Sequence, residues 1–337
     1  MKMEEVIALV LAAGKGTRMK SKLPKVLHKA GGVPMVGQVL RAVKDAGTKR
    51  EIVVVGFGAE AVTAYVGETA ETVVQKEQLG TGHAVLQAES LLQGEKGILL
   101  VTCGDTPLVR TETFRALLDC HKKTQASATV LTACMPDPTG YGRVIRSADG
   151  KVSKIVEQKD GTSQELAVNE VNAGIYCFEL PELWELLHRI GNNNAQGEYY
   201  LTDIIGMLVA DGKTVSAVAA EDYRETLGVN SRLQLAQAEK ILRERKLEEL
   251  MTEGVTVQDP SNTYVETTVT VGRDTVLYAG TVLEGRTVIG ENCEIGPFVR
   301  LTNVVMGDGN SLQYTYAHDC TIENNLTAGP FVHFRPK

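Results

Sequence analysis

Val6-Ile-Ala-Leu-Val-Leu-Ala-Ala-Gly-Lys-Gly-Thr-Arg18, with Lys25 seven residues further on, sets the fold class. Residues Val6 to Leu11 are apolar almost without interruption, the pattern of a parallel strand buried on both faces. The strand runs straight into a basic turn, where Gly14 and Gly16 let backbone N–H groups come close to an anion and Arg18 and Lys25 add positive charge. Such a turn fits a phosphorylated ligand. It also fits a plain strand-to-helix turn with solvated basic residues. Position 19 is Met where G-x-G-x-x-G needs glycine, and no G-x-x-x-x-G-K-[ST] occurs, so neither a Rossmann dehydrogenase nor a P-loop NTPase is supported.

Outward from this stretch, short apolar runs alternate with amphipathic segments. Val6 to Leu11, Glu51 to Val55, Gly97 to Val101, Ala128 to Thr132 and Asn172 to Phe178 read as strands, and Met35 to Ala46, Gly82 to Leu92 and Thr111 to His121 as helices. The alternation predicts an α/β, Rossmann-like domain over residues 1–228 with a mostly parallel sheet and ligands at the carboxyl ends of its strands. A helical linker over 229–252 follows. Its pattern from Ser231 to Met251 fits either an arm between domains or a surface helix of the first domain, and Glu239 and Arg243 are spaced to pair on one face.

Beyond it a period of six emerges. Val271, Leu277, Leu283, Ile289, Ile295 and Leu301 recur at strict six-residue spacing, with glycine following at 272, 290 and 296. Neither a helix of period about 3.6 nor a hairpin strand demands this. A parallel β-helix does, one apolar residue per face of each coil, so residues 253–337 are expected to form the start of such a domain. The register slips by five at Met306-Gly307, resumes at Leu312 and weakens after His318. Phe331 to Lys337 offers no evident polar cap, so the stack is expected to be cut off in mid-helix.

The chain has 337 residues, 43% of them hydrophobic, and a formal net charge of -7. The length suits two domains, and the charge argues against a general nucleic-acid surface and for focal anion binding. The N-terminus has no secretory pattern, and Val6 to Ala13 is too short to span a bilayer, so a cytoplasmic protein with no membrane partner is expected. Cys103, Cys120, Cys134, Cys177, Cys293 and Cys320 show no zinc or disulfide spacing and read as reduced, mostly buried thiols.

Asp105, in Thr102-Cys-Gly-Asp-Thr-Pro107 after a strand, could hold Mg²⁺ or cap the next helix. Asn230 could cap the following helix or, with a partner, ligate metal. Gln75 and Leu79-Gly-Thr-Gly82 offer an amide and close backbone for a nucleobase edge, since a Gln amide both donates and accepts. Gly142 in Pro138-Thr-Gly-Tyr-Gly142, Glu157 and Asn172 are polar islands suited to a sugar, or satisfied turn groups. No Ser-His-Asp set or paired-carboxylate signature stands out.

Taken in order, Leu11-Ala-Ala-Gly-Lys-Gly-Thr-Arg-Met19 with Pro24-Lys25, the Gly104-Asp105 turn and the hexapeptide repeat resemble the sugar-1-phosphate nucleotidyltransferases. Gln78-Leu-Gly-Thr-Gly-His83, Asp137-Pro-Thr-Gly-Tyr-Gly-Arg143, Asn192 to Tyr200 and Gly228-Val-Asn230 resemble, within them, the bacterial bifunctional N-acetylglucosamine-1-phosphate uridyltransferase/glucosamine-1-phosphate acetyltransferases. The resemblance implies a left-handed β-helix that carries a homotrimer, and a product used for peptidoglycan and lipopolysaccharide. It implies UTP and N-acetylglucosamine 1-phosphate as substrates, Mg²⁺ shared by Asp105 and Asn230, and phosphate contacts from Arg18 and Lys25. Leu11, Ala12, Ala13, Gly14, Gln75, Gly80, Thr81, Cys103 and Gly104 would line the nucleotide pocket, and Gly142, Glu157 and Asn172 would hold the sugar. Cys103 stands where related sequences often carry a larger residue such as Tyr. Arg335 matches the first basic residue of the acetyltransferase site. The other coils of that site lie outside these residues, so acetyl transfer from acetyl-CoA is expected only of a longer chain. Related loops also serve thymidylyl-, adenylyl- and guanylyltransferases, and a similar domain pair occurs in translation-factor subunits without catalysis.

Overall fold

The computed structural model describes residues 5–336. They fall into two compact bodies: residues up to 28 with 34–232, and residues 29–33 with 233 onward. The long helix Arg232–Thr252 thus groups with the second body.

The first body is built on a nine-stranded sheet. Its main path runs Val215–Ala219, Ala128–Cys134, Glu170–Leu180, Gly97–Cys103, Val6–Ala12, Arg50–Val55 and Glu71–Val74. Neighbours on this path are parallel except Glu170–Leu180, which runs antiparallel to both strands beside it. A hairpin of Arg143–Arg146 and Val152–Val156 adjoins that strand. The first strand explains its own composition. Ile7 and Leu9 enter one core with Ile52, Val54, Leu99 and Val101, while Val6, Ala8 and Val10 enter another with Val53, Val55, Ile98 and Leu100. Alternate side chains point to opposite faces, both faces are covered, and so neither set is polar.

The expected helix from Gly82 to Leu92 is shorter. It spans Thr81–Leu86 and is followed by a separate 3-10 turn, Glu89–Leu91. The Gln87 side chain donates to the His83 carbonyl at 2.8 Å, while the Gln87 amide bonds to the Ala84 carbonyl at 3.2 Å. A side chain has taken the acceptor that a continuing α-helix needs, and the turn tightens.

In the second body three parallel sheets are visited in rotation. Val276 pairs with Glu294, Val282 with Arg300 and Val288 with Val305, each one coil further along. Val271, Leu277, Leu283, Ile289, Ile295 and Leu301 all face the interior, joined by Met306, Leu312, Ala317 and Ile322. The six-residue step resumes at Leu312, which stacks on Ile295, but the steps to Ala317 and then Ile322 are again five residues, with six restored at Ala328. The glycines of the repeat form a ladder. A β-carbon on Gly272 would lie 2.6 Å from the Gly290 carbonyl carbon, and one on Gly290 would lie 2.6 Å from that of Gly307.

Glu239 and Arg243 do not serve each other. The Glu239 carboxylate accepts the Gly31 amide at 2.6 Å, and the Arg243 guanidinium stacks 4.3 Å above the centre of the Tyr264 ring, a stronger use of each group than an exposed pair on one helix face.

Candidate functional site

Three of four consecutive parallel strands deliver their carboxyl ends to one cleft of about 270 Å³. Gly14 follows Val6–Ala12, Asp105 follows Gly97–Cys103, and Gln75 follows Glu71–Val74, reached across Arg50–Val55. The chain winds outward in both directions from Val6–Ala12, so the cleft opens where the strand order reverses. Leu11, Ala12, Ala13, Gly14, Lys25, Gln75, Gly80, Thr81, Cys103 and Asp105, all singled out in the sequence, line it. Val26, Gln78, Ala84 and Glu198 line it as well.

Gly14 faces open space, with nothing within 4 Å of where its β-carbon would be. Gly104 plays a different part. Its amide donates to the Leu11 carbonyl at 2.9 Å, and it packs against Val10, Ala12 and Val26, so it joins the two strands beneath the cleft.

Beside the glycine turn, three functional groups meet. The Lys25 ammonium donates to the Asp105 carboxylate and, at 2.8 Å, to the Asn230 side-chain oxygen. Asn230 is brought there by its own strand of loop, whose Val229 amide bonds to the Asp105 carbonyl at 2.8 Å. Asp105 does not cap the next helix; Arg110 holds that position. Two hard oxygen donors thus converge on one cation. Among the described residues no group of three or more His, Cys, Asp or Glu could hold a metal, so a divalent ion here would complete its shell with water or ligand phosphate.

At the other end of the cleft Gln75 is buried. Its Nε2 donates to the Gly80 carbonyl at 3.2 Å and approaches His83 Nδ1 at 3.0 Å. With both amide hydrogens engaged, Gln75 has its carbonyl oxygen left for a ligand. Gly80 has φ +115°, and a β-carbon there would strike the Tyr199 carbonyl oxygen at 2.6 Å. The Gly82 amide bonds to that same oxygen, the Tyr199 amide to the Leu79 carbonyl, each at 2.8 Å, and the Leu201 amide to Thr81 Oγ1 at 3.1 Å. The 192–200 motif therefore fixes the turn that carries Gly80 and Thr81.

Gly142, Glu157 and Asn172 form a second cluster. The Asn172 amide bonds to the Gly142 carbonyl at 2.8 Å, and Thr202 Oγ1 donates to Glu157 Oε1 at 3.2 Å. Asn172 sits where the Glu170–Leu180 strand shifts register, donating to the Tyr176 hydroxyl at 2.7 Å. Burial pushes the Glu157 carboxyl above the ordinary range; the Thr202 bond opposes this, and Asp160, Asp203 and Glu198 add to it. Cys103 lines the cleft with its Sγ 3.8 Å from the carbonyl of Gly174, whose amide donates to Asn172 Oδ1 at 3.0 Å. Burial, with the Asp105 charge second, pushes its thiol up to about 12, so it stays neutral.

Residues 7–240 match the nucleotidyl transferase family, and residues 268–303 match the bacterial transferase hexapeptide (six repeats). The chain is 53% identical over 329 residues to the bifunctional protein GlmU of Geobacillus sp. (strain WCH70), covering 98% of this chain and 72% of that protein. The bifunctional protein GlmU of Exiguobacterium sp. (strain ATCC BAA-1283 / AT1b) is 51% identical over 331 residues, with coverage of 98% and 73%. The GlmU of Caldanaerobacter subterraneus subsp. tengcongensis is 47% identical over 335 residues, with coverage of 99% and 73%. The chain belongs to the GlmU family.

GlmU proteins are N-acetylglucosamine-1-phosphate uridyltransferases and glucosamine-1-phosphate acetyltransferases, and the two matched regions fit these activities. Their chemistry draws on a divalent metal and acetyl-CoA and concerns nucleotide sugars, and hexapeptide repeats of the GlmU kind are consistent with oligomerisation. Among the described residues no helix is long and apolar enough to cross a membrane, and all six cysteines are free, but only Cys177 and Cys293 are buried, fewer than expected.

Not every expected residue joins the cleft. Arg18 is exposed on the 3-10 turn Thr17–Met19 and is absent from the cleft lining. Arg335, in the second body, donates from Nε to His333 Nδ1 at 3.2 Å, and the His333 ring lies tilted against Tyr316 with centres 4.7 Å apart. Sequence reasoning passed over His83 and Glu198 as individuals, although both lie inside motifs quoted for the GlmU resemblance.

Proposed function

We propose that the first body transfers the uridylyl group of UTP to N-acetylglucosamine 1-phosphate. A phosphate oxygen of the sugar phosphate forms a bond to the α-phosphorus as the bond to the β-phosphate breaks, giving UDP-N-acetylglucosamine and pyrophosphate. The attacking oxygen is ionised at neutral pH, so no side chain need act as base, and the obstacle is repulsion between two polyanions. The convergence of Asp105 and Asn230 on one cation beside the Gly14 turn carries this reading.

In this reading the amides of the Leu11–Gly14 segment receive the phosphates, and Gln75, Gly80 and Thr81 receive the uracil. Lys25, and Arg18 from its exposed turn, neutralise charge on the phosphates. Cys103 and Gly104 form the floor. Gly142, Glu157 and Asn172 orient the sugar. Asp105 and Asn230 would hold Mg²⁺, which supplies charge neutralisation at the phosphoryl oxygens when bound and suits a site with few protein ligands and many waters.

We assign the chain to a nucleotidyltransferase domain over 1–228, a helical linker over 229–252 and a β-helical acetyltransferase-type domain over 253–337, in a cytoplasmic homotrimer. A run of exposed aromatic rings supports self-association of the β-helix: Phe298, Tyr314 and Phe331 are exposed, with ring centres 5.5 and 5.8 Å apart. Arg335 is assigned to the acetyltransferase site.

The test is pyrophosphate release from the purified chain with Mg²⁺ and N-acetylglucosamine 1-phosphate, comparing UTP with ATP, CTP, GTP and dTTP. Release with UTP is expected. Preference for another nucleotide reassigns the base site, and silence with all of them in folded protein removes the catalytic reading.

A further inference from the structure

We infer that Lys25 is the resident occupant of the cation position, and that a divalent metal enters only as a nucleotide's phosphates draw the ammonium away. The inference rests on the reading of Asp105 and Asn230 as metal ligands. The Lys25 ammonium takes both oxygens, one by direct contact and one at 2.8 Å. The side chains of Lys25 and Asp105 are only 13% and 18% exposed, so solvent screens the arrangement little. A metal bound to the same two oxygens would sit close against the ammonium, and two cations cannot share that spot.

The base of the lysine is fixed while its tip can move. Lys25 begins a 3-10 turn whose next residue, Val26, is buried, and its β-carbon is pressed against Gly16. The flexible outer methylenes remain, and Lys25 lines the same cleft as Gly14, above which lies open space. A triphosphate seated over Gly14 offers the ammonium a new anionic partner and leaves Asp105 and Asn230 for the metal. Metal and nucleotide should therefore each tighten the binding of the other, since such coupling is reciprocal. A free divalent ion should bind the nucleotide-free protein poorly.

The probe is Mn²⁺ alone, titrated into the nucleotide-free full chain and followed by the electron paramagnetic resonance signal of free Mn²⁺. Lys25→Met and Lys25→Gln, each checked for folding by circular dichroism, are compared with the unaltered protein. Both variants should bind Mn²⁺ about tenfold or more tightly than the unaltered protein, and adding Asp105→Asn to Lys25→Met should abolish the gain. Equal Mn²⁺ affinity in all three, or a gain that survives Asp105→Asn, overturns the exchange. Asp105→Asn is also tested in the UTP complex. Loss of Mn²⁺ there, with no gain in the lysine variants, leaves the metal site standing and removes only the exchange, whereas no loss removes the metal site and the inference with it.

Discussion

Gly16 and Lys25 are built against each other: a β-carbon on Gly16 would lie 2.6 Å from the β-carbon of Lys25, and Gly16 has φ +57°. The glycine is thus required twice, for its backbone and for the room it leaves. Gly16→Ala should cost about 1–2 kcal/mol of stability from the left-handed backbone. It should also lower kcat by displacing Lys25. A thermal melt and steady-state assay check both, and an alanine variant with unaltered melt and kcat contradicts the packing argument.

Removal of the Asp105 carboxylate tests the cation site directly. Asp105→Ala should lower turnover about 10³-fold, about 4 kcal/mol of transition-state stabilisation, while the circular dichroism spectrum is kept. Full activity at ordinary Mg²⁺ concentration would sink the metal assignment.

His83 Nδ1 lies 3.0 Å from the Gln75 amide nitrogen and so holds the orientation of the group that would read the base. His83→Ala should reduce the preference for UTP over CTP by about 1 kcal/mol, roughly fivefold, with a smaller effect on kcat at saturating UTP. Competition between the two nucleotides measures this. An unchanged ratio means that Gln75 is held well enough by the Gly80 carbonyl.

Glu157 holds its proton to higher pH in the folded protein than in the unfolded chain, chiefly because it is buried. Between the ordinary value of 4.5 and that raised value the folded state binds more protons, so this group's contribution to stability falls as pH rises and stays low above the window. Glu157→Gln, which can still accept the Thr202 hydroxyl, should raise the melting temperature at pH 7 and not at pH 4. The same variant should raise KM for N-acetylglucosamine 1-phosphate. A stabilising effect equal at both pH values would show that the carboxylate charge is not its cause.

The glycine ladder separates the two bodies experimentally. A methyl group on Gly290 would lie 2.6 Å from the Gly307 carbonyl carbon, which the parallel ladder holds in place. Gly290→Ala should destabilise the β-helix by about 2 kcal/mol while uridylyl transfer is retained. Calorimetry resolves the shift, and simultaneous loss of transferase activity would mean that the bodies do not melt independently.

The period-six run from Val271 to Leu301 and the two-sided apolar strand Val6–Ala12 were legible because each records a local rule: one interior position per face of a coil, and no exposed face on a central strand. The β-helix steps after Leu312 were not, because a coil can shed a residue at a corner without changing which side chains look inward. The Thr81–Leu86 helix was overestimated for a similar reason, since apolar spacing does not reveal that Gln87 will take a backbone acceptor.

The sequence by itself determined the two architectures and, through its ordered motifs, the residues gathered around the cleft. Only the tertiary structure decided what those residues do to one another. Lys25 and Asn230 are 205 positions apart, yet the reversal of strand order at Val6–Ala12 and the bond from Val229 to Asp105 bring them within 2.8 Å. Burial patterns fix which face of a strand is apolar, but the grip of the Lys25 ammonium on Asp105 and Asn230, the clamp of His83 on Gln75 and the raised pKa of Glu157 arise from distances between groups that no local pattern encodes.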